Sequence, residues 1–120
     1  MSQHLHRAYG QASAIVHSPR EAEYEVIARV TRALCRARDG ASSRARLEAL
    51  YLNDRLWSAL ARDVALEGNG LPASLKAKLI YLFRFSLHQS DLIREGRGEI
   101  DVLIDINHAV LRGLRGEVGG

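Results

Sequence analysis

SPREAEYEVIARVTRALCRARDG, residues Ser18 to Gly40, carries both ends of one long helix and the apolar stripe between them. Ser18 and Glu21 stand at capping-box spacing. That spacing lets the Ser18 hydroxyl accept from the Glu21 N–H and the Glu21 carboxylate return to the Ser18 N–H. Pro19 falls in the first turn, where its missing N–H would be unpaired anyway. Val26, Ile27, Val30, Leu34 and Ala37 recur at helical spacing. Glu21, Glu23 and Glu25 lie near the positive end of the macrodipole, and Arg32, Arg36 and Arg38 near the negative end. Asp39-Gly40 ends the segment, with Gly40 suited to a left-handed C′ position. The reading is a helix over residues 19–38.

The same signals recur on the C-terminal side. Ser42 or Ser43 caps a second helix over 43–66, whose apolar arc holds Leu50, Leu56, Trp57, Leu60 and Val64. Gly68-Asn69-Gly70 breaks the chain, and Leu71-Pro72 opens a third helix to Glu95 with Leu75, Leu79, Leu82, Phe83 and Ile93 on one face. Gly96-Arg97-Gly98 turns into a shorter helix over 99–113 that presents Ile100, Leu103, Val110 and Leu111. No segment alternates with period two, so no sheet is expected. The fold class is all-α: one domain over 1–120, a compact antiparallel bundle of four helices. Residues 1–17 read as a loosely ordered arm with Ala14-Ile15-Val16 as a docking point, and 116–120 as a frayed tail.

The composition supports a folded core. Of 120 residues, 47 % are apolar, and 17 basic against 14 acidic residues leave a net charge of only +3. Disordered chains combine low hydrophobicity with high net charge. The single cysteine, Cys35, excludes a disulfide scaffold and any multi-cysteine zinc module. The longest run of large apolar residues, Leu79-Ile80-Tyr81-Leu82-Phe83, is far short of the ~20 residues needed to cross a bilayer. With no apolar signal region after Met1, the expectation is a soluble cytoplasmic protein without membrane insertion.

Catalytic and metal chemistry find no footing. His4, His6, His17, His88 and His108 show no zinc-type spacing, and Gly68-Asn69-Gly70 lacks the strand and the Lys-Ser/Thr of a phosphate loop. No enzyme, cofactor or metal is expected. Two amides stand out instead: Asn53 and Asn107 each fall at the centre of an apolar arc. A buried amide costs free energy unless it is paired. Either the two bond within the fold and set helix register, or one lines a groove and bonds a partner backbone. The third helix has a second stripe, Tyr81, Phe85 and Leu92, with Arg84 beside it, and the fourth has Val102 and Ile106 off its main arc. Such stripes serve either a second neighbour in the bundle or a groove for a partner helix. Finally, Arg29, Arg32, Arg36, Arg38, Arg44 and Arg46 face one acid, Asp39, between 29 and 46. This is a solvated face or a polyanion contact, but it has no interleaved aromatics for base stacking.

Several segments together resemble the FlaF flagellar biosynthesis regulators of alphaproteobacteria. They are Ala8-Tyr9-Gly10, Ser18 to Glu25, Asn53-Asp54-Arg55-Leu56-Trp57, Asn69-Gly70-Leu71-Pro72, and Asp101 to Asn107 leading into Leu111-Arg112-Gly113-Leu114. The resemblance lies in their order and spacing over residues 8–115. It implies a small cytoplasmic factor needed for flagellin production and export, without enzymatic activity or cofactor. Such a factor acts on flagellin as a secretion chaperone, or as a regulator opposing the translational repressor FlbT, itself a candidate partner. The competing expectation is an RNA-binding regulator of flagellin messenger RNA acting through Arg29–Arg46. For a groove that holds a terminal helix of flagellin, the physical candidates are Trp57, Tyr81 and Phe85 as apolar anchors, with Asn53, Arg55 and Asn107 as polar guides.

Overall fold

The protein is described by a computed structural model covering residues 19–66, 68 and 70–114, with side chains from Glu23 to Gly113. The Ser18–Glu21 capping box, the N-terminal arm with its docking point and the tail after 115 lie outside the described residues. Four helices follow one another: α1 (Pro19–Arg38), α2 (Ser43–Ala65), α3 (Ala73–Arg94) and α4 (Ile100–Leu114). Their limits match the sequence reading to within a residue or so. Among the described residues there is no strand.

The caps explain those limits. The Ser42 side chain accepts from the Ala45 N–H at 3.1 Å and starts α2. At the end of α3 the Gly96 N–H bonds the Ile93 carbonyl at 3.0 Å and the Arg97 N–H bonds the Leu92 carbonyl at 2.8 Å. That pair of bonds is a Schellman motif, and it needs the left-handed backbone that Gly96 adopts at φ 77°.

Neighbouring helices run antiparallel, and each packs on two others: α1 and α3 each lie against α2 and α4. The radius of gyration is 14.8 Å. Where the C-terminal ends of α1 and α3 meet the N-terminal ends of α2 and α4, Leu34, Leu50, Ile93, Ile100, Leu103 and Ile104 close the core. At the surface over this end, Arg38 bonds both Asp39, at 2.9 Å, and Asp101, at 3.2 Å. The α1 stripe is buried as expected at Ile27, Val30, Leu34 and Ala37, with Val26 half-buried. Ile106, off the main arc of α4, is buried too, because α4 is wedged between α1 and α3.

The third helix departs from the reading. Its expected core face is buried only at Ile93, and the other residues sealed there are Ser86 and Ser90. Leu79, Leu82 and Phe83 are half-buried, and Leu75 keeps 39 % of its surface exposed. For Leu75 the cause is helix length. Ser86 and Asn107 both reach Asn53, so they mark one level of the bundle. From that level α4 continues about 10 Å to Leu114, whereas α3 extends about 20 Å back to Ala73. The first turns of α3 therefore pack on α2 beyond the end of α4.

Candidate functional site

Two arrangements of side chains stand out: a polar network inside the bundle and a groove on its surface. The network begins at Asn107 on α4. Its Oδ1 accepts from Trp57 Nε1 at 2.9 Å, and its Nδ2 donates to Asn53 Oδ1 at 2.8 Å and to Thr31 Oγ1 at 3.2 Å. Asn53 Nδ2 passes a bond on to Ser86 Oγ at 3.3 Å, and Thr31 Oγ1 donates back to the Ile27 carbonyl at 2.7 Å. All five side chains are buried, and they come from all four helices. Beside them Asp54 accepts from Ser90 Oγ and from Arg94 Nη2, each at 2.7 Å, which ties α2 to α3 a second time.

Asn53, Trp57 and Asn107 are thus brought together, but as internal partners. Each is at most 1 % exposed, so in this arrangement none is available to a ligand. Of the two readings of the amides, the geometry matches the one in which they bond each other and fix helix register. Every polar group of a sealed amide needs a partner inside, and here each network member supplies one. Thr31, Ser86 and Ser90 escaped the sequence reading. Their signal was the same as that of Asn53: a polar side chain at the centre of an apolar arc.

The groove lies between the C-terminal end of α2 and the first turns of α3, with a volume of about 470 Å³. Val64, Ala65, Ala77, Ile80 and Tyr81 give it an apolar lining, and Lys76 and Arg84 line it with positive charge. Tyr81 is 64 % exposed, and its ring stacks on that of half-buried Phe85 with centroids 6.2 Å apart. Lys76, Ile80 and Arg84 are spaced i, i+4, i+8, and Ala77, Tyr81 and Phe85 form the adjacent row. The sequence reading found the aromatic row and missed the cationic one, although its spacing was in plain view. Arg55 stands apart from this groove: its guanidinium sits 5.8 Å above the Tyr51 ring and donates to the Tyr51 hydroxyl at 3.4 Å on its own helix.

A family model described as flagellar protein FlaF matches residues 5–114. The chain belongs to the FlaF family. Groove and network both fall inside the matched span of this FlaF protein. No curated protein sequence and no solved structure matches the chain. Among the described residues no three His, Cys, Asp or Glu side chains are grouped to hold a metal ion. No described helix is long and apolar enough to cross a membrane.

Proposed function

We propose that this flagellar protein binds flagellin before export and promotes its production and secretion, as a chaperone or regulator, by holding a terminal flagellin helix in the α2–α3 groove. The observation that carries this reading is the open groove itself, lined by apolar side chains and by an exposed, stacked tyrosine. Ordering a flexible segment on binding costs about 2–5 kcal/mol, so an anchor that buries substantial apolar area is required. Tyr81 meets that need because its ring is already held by Phe85 and loses little freedom on contact.

The experiment is co-purification with flagellin, repeated with the terminal segments of flagellin deleted, and with Tyr81→Ala. Because Tyr81 is largely exposed, its replacement should cost no more than its stacking on Phe85, about 1 kcal/mol. Binding should weaken by about 2 kcal/mol or more, roughly thirtyfold. Undiminished binding by a folded Tyr81→Ala protein would place the flagellin contact elsewhere.

The arginine-rich face has less to support it as an RNA contact. Arg38 is turned to Asp39 and Asp101, and Arg44 approaches Glu48 at 3.8 Å. The hydrogen bond from Arg38 lowers the pKa of the Asp39 carboxyl from its ordinary range. Arg29, Arg32 and Arg36 remain exposed along α1. Reversing all three to Glu should leave flagellin binding within a few-fold. A loss of hundreds-fold in a folded protein, with binding steeply sensitive to salt, would favour the arginine face.

A further inference from the structure

The geometry points to an acidic amphipathic helix as the ligand class of the α2–α3 groove, recognised by two carboxylates two turns apart that bracket an apolar anchor. The inference rests on reading the groove as the partner surface and adds what the partner must carry. Lys76 and Arg84 are about 12 Å apart along α3, with Ile80 midway on the same row. Among the described residues neither cation has an acidic group within ion-pair distance, and no acid lines the groove. The surface therefore reads, along one helix, cation, apolar, cation. A helix laid into the groove matches it when acids at i and i+7 flank an apolar residue at i+3 or i+4, since these positions share one face. The carboxylates are then about 10 Å apart, and the long stems of Lys76 and Arg84 reach across the difference while covering apolar surface. The Tyr81–Phe85 row packs the other flank of the ligand's apolar stripe.

The test uses the full chain and two synthetic amphipathic helices, read by fluorescence anisotropy. One peptide carries Glu at i and i+7 around a Leu; the other carries Lys at both positions. The unaltered protein should bind the Glu peptide at least about tenfold more tightly than the Lys peptide, with the preference shrinking as salt is raised. The double variant Lys76→Glu/Arg84→Glu should reverse the preference, and its melting curve confirms that it remains folded. Equal binding of both peptides by the unaltered protein, or an unreversed preference in the variant, would overturn the inference. Flagellin separates the two readings. Flagellin lost with Tyr81→Ala yet indifferent to the charge reversal keeps the groove and removes the acidic rule. A reversed peptide preference without any flagellin binding keeps the rule and removes flagellin as the partner.

Discussion

Asn107→Leu should destabilise the protein by about 3–5 kcal/mol, measured by urea denaturation at neutral pH. Leucine approximates the shape of the amide, so little of that loss is cavity. The loss is what the neighbours suffer. Trp57 Nε1–H is left without its acceptor and Asn53 Oδ1 without its donor, both deep in the bundle. Each unsatisfied buried group costs about 1–3 kcal/mol. Thr31 is affected less, because its hydroxyl still donates to the Ile27 carbonyl. Against a total stability of about 5–15 kcal/mol, such a loss is a large share of what holds the fold. A shift below about 1 kcal/mol would show that the network contributes little to holding the helices together.

Trp57→Ala should have an effect of similar size by a different route. The side chain is 1 % exposed, and its removal leaves a large space in the middle of the bundle. Truncation of a buried tryptophan costs roughly 3–5 kcal/mol, or about 15 °C in melting temperature for a domain of this size. Water can enter the vacated space and give Asn107 Oδ1 a donor, which limits the polar part of the loss. Trp57→Phe reduces the packing part of the loss, since it keeps an aromatic ring while removing the N–H and part of the indole. Combined with Asn107→Leu it should cost about 1–2 kcal/mol less than the sum of the single changes, because the orphaned donor is gone. Strict additivity would mean that the Trp57–Asn107 bond is energetically silent.

Helix limits were legible in the chain because they depend on local chemistry. Ser42 caps whatever helix follows it, and Gly96 takes a backbone conformation that closes α3 whether or not another helix is near. The same holds for the core stripe of α1 and for the two asparagines, whose place at the centre of apolar arcs marked them as paired or functional. Which of those two it was depends on contacts far apart in sequence. Asn107 meets Asn53, Trp57 and Thr31 across separations of 54, 50 and 76 residues, and no local pattern reports such meetings. The groove was hidden for a related reason. Helical periodicity tells at what angle a side chain leaves its axis, but not which neighbour stands at that angle or how far that neighbour extends. Leu75, Leu79 and Leu82 have the same angular claim to the core as Ile93. Ile93 is sealed and Leu79 and Leu82 are half-buried, while Leu75, beyond the end of α4, is exposed. The sequence by itself thus determined the helices and their polar and apolar faces. The packing of unequal lengths decided which apolar surface closed into a core and which remained open beside Lys76, Tyr81 and Arg84.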